Sequence, residues 1–345
     1  MALHENLQSL YHELLPNDLK NQVDLFVVPL IRFNYTKSDY LYLLYKDIIA
    51  EEKSRFKIHS TSIWNHWKFV WRALRKPNVI LHYHWLECTN LKSLAGIAYK
   101  LFCIILFKKL GGKLVWTVHN KMPHDSRFTK LNYKIRSSMA NRANLLHVHC
   151  KAAIEEVSDF FNQPITKFRV IPHPVYPVKS IPREKAIQKI NLKQDLDLKM
   201  SNQIFLMFGN ISSYKQIEEV AYMFEELPDY KKLVIVGPVK KGQMTYYRNI
   251  KELATASNNI LLIPHFVPED DVPLYHCASD CVVFNYRQIL TSGGFALAES
   301  YDRNIIAPRL GCLSELGGNK VQLFESQEEL FTLLSDFSTE EYSDA

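Results

Sequence analysis

Cys281-Val-Val-Phe-Asn-Tyr-Arg-Gln-Ile-Leu-Thr-Ser-Gly-Gly-Phe-Ala-Leu-Ala-Glu-Ser300 holds the pattern on which the rest of the chain turns. An apolar run of strand length ends at Phe284, a polar loop follows, and the small residues Thr291-Ser-Gly-Gly open a helix. Strand, loop and helix in that order make the βα unit of a parallel sheet. Small residues at a helix start let backbone N–H groups approach an anion closely, and the helix dipole adds a favourable field. Glu299 falls about a turn and a half inside that helix, within reach of a hydroxyl beside such an anion. A serine-capped helix with no ligand would carry the same pattern.

Working outward, the same alternation fills the second half. Strands are expected at Ile204–Phe208, Lys232–Val236, Ile260–Ile263, Cys281–Phe284 and Asn304–Ala307, with helices at Ile217–Glu226, Met244–Ala256, Val272–Cys277 and Gly294–Tyr301. The first half repeats it, with strands at Asp24–Leu30, Asn78–Tyr83, Lys113–Val118, Asn144–Val148 and Phe168–Ile171 and helices at Tyr40–Ala50, Leu91–Leu110, Lys130–Ala140 and Ala152–Phe161. Near-continuous apolar strands such as Val79-Ile-Leu are those of a sheet covered on both faces. Pro172, Pro174, Pro177 and Pro182 lead into a polar stretch reaching about Lys199, which reads as a linker. The expected architecture is therefore α/β, with two Rossmann-like doubly wound parallel-sheet domains facing a cleft. They occupy residues 1–180 and 181–345, with residues 1–20 as an extra helix or tail.

Composition agrees: 345 residues suit two domains, and 47% hydrophobic with 23% charged residues is globular. The N-terminus lacks the pattern of a secretory signal. Six cysteines without a CxxC read as buried thiols of a reduced compartment, which points to the cytoplasm. Leu101–Phe107, the longest apolar stretch, is broken by flanking lysines and is far short of the roughly 20 residues of a membrane span. Charge is uneven: residues 1–175 carry a net +12 and residues 176–345 a net −6, and Arg55 to Lys113 holds eleven basic residues and one acid, Glu87. The first half is thus suited to an anionic partner, although a generic basic surface reads alike.

Chemistry-bearing residues collect at the expected strand ends. Phe208-Gly-Asn-Ile-Ser-Ser-Tyr-Lys combines a turn glycine, Gly209, with Asn210 and with Lys215 just before a helix, where an ammonium could meet a diphosphate. Gly237 follows another strand, and Pro264-His265-Phe266 a third; Arg287 belongs to the loop before Thr291, Ser292, Gly293 and Gly294. In the first half His119 and Asn120 end one strand, and the run from His82 to Glu87 ends another. His82/His84 and His147/His149 share strand faces, but no Cys, Asp or Glu stands at ligand spacing, so no metal site is expected. The Walker A, G-x-S-x-G and G-x-G-x-x-G motifs are all missing, which removes the defining parts of P-loop NTPases, α/β-hydrolases and dehydrogenases.

Trp116-Thr-Val-His-Asn, Val170-Ile-Pro-His-Pro, Phe208 through Lys215, Val234-Ile-Val-Gly, and Tyr286 through Glu299 followed by Ile306-Ala-Pro together resemble glycosyltransferase family 4, from about residue 22 to residue 330. The resemblance implies a GT-B layout whose C-terminal half binds a nucleotide-sugar. It assigns Lys215 to the donor diphosphate, Glu299 to the ribose and His119 to the transferred sugar. The family usually carries a glutamate eight positions before Glu299 and an arginine beside the lysine-loop glycine; here these are Thr291 and Asn210.

The sequence-level expectation is a glycosyltransferase that moves a hexosyl group from a UDP- or GDP-sugar to a glycan or lipid-linked acceptor, with retention, in surface-polysaccharide assembly. His119, Asn120 and Glu87 form its catalytic set. The donor set is Gly209, Asn210, Lys215, Gly237, His265, Phe266, Arg287, Thr291, Ser292, Gly293, Gly294 and Glu299. The nucleotide-sugar is a substrate, so no cofactor and no metal are expected, and no nucleic-acid motif is present. The basic half would meet an anionic membrane at its cytoplasmic face, with Leu101–Phe107 laid on lipid or, alternatively, buried as an ordinary βα-unit helix. A GT-B sugar-nucleotide epimerase and a non-catalytic GT-B partner subunit remain open beside this reading.

Overall fold

The computed structural model of the chain describes residues 3–17, 21–88, 91–123, 128–315 and 317–338. It divides into two compact units, Met1–Pro174 and Val175–Ala345.

In the first unit, α1 (Leu3–His12) precedes β1 (Val23–Val28), α2 (Tyr40–Ala50), β2 (Phe56–Ser60), α3 (His66–Arg75), β3 (Ile80–Tyr83), α4 (Leu91–Lys109), β4 (Lys113–Thr117), α5 (Thr129–Arg142), β5 (Leu145–Val148), α6 (Ala152–Phe161) and β6 (Phe168–Val170). All strands are parallel, in the order β2-β1-β3-β4-β5-β6. Every residue of β1 is buried, as a strand with helices on both faces requires. That includes Asp24, whose carboxylate is met by Arg72 Nε at 2.6 Å and His59 Nε2 at 2.7 Å. Burial pushes this carboxyl up, but the two partners outweigh it and hold it below its ordinary range. The pair ties α3 to the sheet.

The second unit runs α7 (Arg183–Gln194), β7 (Gln203–Phe208), α8 (Ile217–Glu226), β8 (Lys231–Val236), α9 (Met244–Ala256), β9 (Ile260–Ile263), α10 (Val272–Ala278), β10 (Cys281–Val283), α11 (Gly293–Ser300), β11 (Asn304–Pro308), β12 (Val321–Phe324) and α12 (Gln327–Asp336). Its parallel sheet has the order β12-β11-β10-β7-β8-β9. Alternation along each strand feeds two cores: Ile204, Leu206, Val234 and Val236 join one, while Phe205, Met207, Leu233 and Ile235 join the other.

Three parts of the chain depart from the sequence expectation. Residues 51–77 hold a sheet strand and a helix, β2 and α3, that the apolar pattern did not show. The expected linker to Lys199 contains α7, whose buried residues are only Ala186, Ile187 and Ile190. Beyond β11 the sheet gains β12, and α12 packs behind it. The Leu101–Phe107 stretch is mostly core: Cys103, Ile104 and Phe107 are buried, with Phe107 packed edge-on to Phe69, and Phe102 alone is largely exposed. Cys103, Cys277 and Cys281 are free, buried thiols, and Cys88 is buried. Among the described residues no helix is long and apolar enough to cross a membrane.

Candidate functional site

In a doubly wound sheet the crevice lies outside the carboxyl ends of the strands, where the strand order reverses. In the second unit β7, β8 and β9 step one way and β10, β11 and β12 the other, so the reversal falls between β7 and β10. A small pocket opens there, lined by Phe208, Gly209 and Lys215 on one side and by Phe284, Asn285 and Tyr286 on the other.

The backbone is shaped to make that opening. Gly209 and Gly237 sit at φ +95° and +140°, conformations that favour glycine. A Cβ on Gly237 would stand 2.5 Å from the Gly209 carbonyl oxygen, so the β7 and β8 ends approach to a distance no side chain permits. Lys215 ends a short 3₁₀ turn, and Gln216 then adopts φ +47° before α8 begins. This turn folds the lysine back over β7. Its Nζ donates to the Phe208 carbonyl at 3.0 Å and lies 3.1 Å from where a Gly209 Cβ would be. Burial of the ammonium, with nearby Lys240, lowers its pKa to about 8. No carboxylate is hydrogen-bonded to it among the described residues. A buried cation with carbonyl support but no counter-charge is a place for an anion.

The β10 loop supplies the other wall. Tyr214 stacks on Tyr286 with ring centroids 5.8 Å apart, and the Arg287 N–H donates to the Tyr214 carbonyl, joining the lysine loop to the β10 loop. The Tyr286 hydroxyl pairs with Ser292 Oγ at 2.9 Å, and Ser292 accepts from the Phe295 N–H as the N-cap of α11. Gly293 and Gly294 begin that helix, where backbone N–H groups have no intrahelical acceptor. Gly311, at φ +50°, lets the loop after β11 pass within 2.5 Å of the Ile289 carbonyl, measured from an added Cβ.

The structure therefore brings Gly209, Lys215, Gly237, Ser292, Gly293 and Gly294 to one edge of the sheet. Asn210, His265, Phe266 and Arg287 occupy the same edge as exposed residues, and Thr291 is half-buried beside the cap. Glu299 lies on the last turn of α11 as an exposed residue; partial burial of its carboxyl raises its pKa. Tyr214, Asn285 and Tyr286 were not singled out by sequence. A polar or aromatic residue in the loop that follows a strand end was the signal available.

The carboxyl edge of the first unit is lined with imidazoles. His119 follows β4 and stacks flat on Trp85, centroids 4.4 Å apart at 9°, with Tyr40 edge-on at 4.9 Å. His84, His149 and His173 surround Tyr40 at 5.0–5.7 Å. His119 Nε2 is buried and has no hydrogen-bond partner. Burial first, then the neighbouring histidines and Arg136, hold its pKa well below the usual range, so the ring is neutral at pH 7.

Beneath this edge a chain of hydrogen bonds fixes the tautomers. The Ile171 carbonyl accepts from His147 Nε2 at 3.0 Å and from His149 Nδ1 at 2.9 Å. His147 Nδ1 must then accept from Thr117 Oγ1, which in turn accepts from His82 Nε2, each at 2.8 Å. That leaves His82 Nδ1 to accept from Tyr11 or Tyr45, each 2.6 Å away. His149 Nε2 likewise accepts from the Tyr40 hydroxyl at 3.2 Å. The alternating histidines are a structural network of neutral rings, and α1, expected from sequence as an extra helix or tail, is part of it. Among the described residues no group of His, Cys, Asp and Glu has an arrangement that could hold a metal ion.

Asn120 and Glu87 are joined through a residue the sequence did not single out. Arg136 of α5 is almost fully buried; its Nη1 donates to the Asn120 carbonyl at 2.6 Å and its Nη2 to Glu87 Oε1 at 3.2 Å. Glu87 is thus committed to a guanidinium. No hydrogen bond joins it to His119.

The two-unit architecture is the GT-B fold, and comparison with solved structures bears this out. A UDP-glucose complex of HepE from Anabaena superposes with a TM-score of 0.61 at 14% identity, covering 91% of this chain and 89% of that one. The UDP-forming α,α-trehalose-phosphate synthase of Burkholderia vietnamiensis gives 0.64 at 10% identity over 94% and 93%. The catalytic domain of starch synthase IV from Arabidopsis thaliana, bound to ADP and acarbose, gives 0.56 at 11% over 81% and 71%. No protein-family model matches the sequence, and no curated protein matches it significantly.

Proposed function

We propose that this chain is a glycosyltransferase that moves a hexosyl group, with retention, from a UDP- or GDP-sugar to a glycan or lipid-linked acceptor at the cytoplasmic face of a membrane, in surface-polysaccharide assembly. The observation that carries the reading is the pocket where the second sheet reverses, with the unpaired Lys215 ammonium over Gly209. Departure of a nucleoside diphosphate builds negative charge, and a fixed ammonium with helix N-terminal amides stabilises it by several kcal/mol, in the manner of an oxyanion hole. Lys215 and the Gly293 and Gly294 amides are the groups assigned to that task. His119, neutral and with a free Nε2, is assigned to the transferred sugar. Arg136 is assigned to positioning the Asn120 and Glu87 loops.

Support also comes from the similar structures, which hold UDP-glucose in one case and ADP with acarbose in another. The test is a thermal-shift panel of UDP, GDP, ADP and their sugars, because a ligand that binds the native state raises the Tm. A rise with one nucleoside diphosphate and its sugar is the expected result, and no rise with any of them removes the reading. Turnover of the sugar that binds separates an enzyme from a non-catalytic subunit, the alternative that Thr291 in place of the usual glutamate keeps in play.

A further inference from the structure

The largest exposed apolar side chains of the first unit gather on α3 and its flanks. Trp64 is 84% exposed, Leu74 63%, Trp67 52%, and Trp71 and Ile63 42% each. Trp67, Trp71 and Leu74 follow the i, i+4, i+7 spacing that places side chains on one helix face, and Ile63 and Trp64 belong to the short turn that enters the helix. The opposite face, His66, Phe69 and Val70, is buried. On α4, packed beside α3 through Phe69 and Phe107, Leu94 and Phe102 are exposed as well.

Cations rim this stripe. The Arg75 guanidinium lies 3.7 Å over the Trp71 ring, and Lys68 Nζ is 6.0 Å from the Trp67 ring. Lys57 and Lys76 are exposed nearby in sequence, and none of these four cations pairs with a carboxylate among the described residues. The only acid from Arg55 to Lys113 is Glu87, which is engaged by Arg136.

We infer that α3, and not the Leu101–Phe107 stretch, is the surface by which this protein lies on an anionic lipid bilayer. The inference deepens the proposed membrane-face function and rests on it for its purpose. Tryptophans settle at the headgroup level, where an apolar ring and an indole N–H both find suitable surroundings. Lys and Arg beside them extend their stems along the apolar region and their charges toward lipid phosphates. Contiguous exposed apolar side chains in this number mark an interaction surface, and the one-signed charge around them selects an anionic partner. Because helices of a parallel βα sheet start at the carboxyl edge, Ile63, Trp64 and Leu94 lie at the same edge as His84 and His119. A bilayer docked there meets the edge of the sheet that carries the candidate chemistry.

The experiment is co-sedimentation with vesicles of phosphatidylcholine alone and of phosphatidylcholine with phosphatidylglycerol, read beside quenching of tryptophan fluorescence by brominated lipid. The native chain should co-sediment with the anionic vesicles, with quenching, and stay in the supernatant with the neutral ones. Trp67→Ser/Trp71→Ser and Lys68→Gln/Arg75→Gln should each weaken that binding at least tenfold, with Tm unchanged. Unaltered binding by the tryptophan variant overturns the inference. So does a native chain that stays in the supernatant with every vesicle, whether it then forms a concentration-dependent dimer or adheres to an acidic polysaccharide resin. Vesicle binding with no thermal shift from any nucleotide supports the surface while removing the proposed reaction.

Discussion

Lys215 is a cation hydrogen-bonded to a carbonyl and, among the described residues, to no carboxylate; burial and nearby Lys240 lower its pKa to about 8. A bound diphosphate would counter that lowering and raise the pKa in the complex. Below pH 8 the free protein already carries the charge, so affinity should be flat. Above pH 8 the free lysine loses its proton and binding must restore it, so the Kd for the nucleoside diphosphate should rise by up to tenfold per pH unit. Isothermal titration in buffers of different ionisation enthalpy would show the proton taken up; constant affinity from pH 7 to 9.5 would show that the ammonium does not face phosphate. Lys215→Ala should correspondingly weaken diphosphate binding far more than nucleoside binding. His119 makes a different prediction. It is assigned to the sugar, so His119→Ala should lower turnover by an order of magnitude or more with nucleotide affinity nearly intact. Both residues were singled out from the sequence because each lies in a loop that follows an apolar run of strand length, His119 at the strand end and Lys215 just before the next helix. Arg136 was not, because a lone arginine within an amphipathic helix gives no sign of burial, and only the fold shows it bridging Glu87 and Asn120.

Elements were read well where apolar runs were continuous and poorly where a helix shows its apolar side to solvent. α2, α6, α8, α9 and β9 have the bounds expected of them, since each is long or wholly apolar on its buried face. α3 escaped because its tryptophans point outward while His66 points inward, which inverts the usual pattern. α7 escaped because three buried residues among twelve do not rise above a polar background. α12 shows how such a late element is held. The buried Lys231 of β8 reaches its C-terminus and donates to the carbonyls of Leu334 at 2.8 Å, Ser335 at 2.5 Å and Phe337 at 3.4 Å. Carbonyls at a helix end have no intrahelical donors, and a cation there also suits the dipole. Lys231→Met keeps most of the apolar stem and strands those acceptors, so urea denaturation should show a loss of about 1–3 kcal/mol. A change below half a kcal/mol would mean that water replaces the ammonium without penalty.

At the scale of the whole chain, the two units differ in how they should answer acid. Burial lowers His82 and His147 to about 3 and His66 to about 4, with His84, His119 and His149 also well below the usual value; all six belong to the first unit. In the second unit the comparable histidine is His276, lowered to about 3 by burial and by Arg303 and stacked on Tyr301. For a histidine whose folded pKa is depressed, stability is complete above the unfolded pKa of about 6.5 and is lost as pH falls below it, because only the unfolded chain takes up the proton. Three such groups alone give a loss of about 4 kcal/mol per pH unit near pH 5. Domain stabilities are typically about 5–15 kcal/mol, so the first unit should unfold on mild acidification while the second persists to lower pH. The chain provides its own reporter: all five tryptophans, Trp64, Trp67, Trp71, Trp85 and Trp116, lie in the first unit. Tryptophan fluorescence should therefore complete its transition at higher pH than far-ultraviolet circular dichroism, which reports the helices of both units. The fluorescence midpoint should also move to higher pH in Thr117→Val, since that hydroxyl joins His82 to His147. If the two signals change together across the whole titration, the imidazole network does not set the acid stability of the first unit.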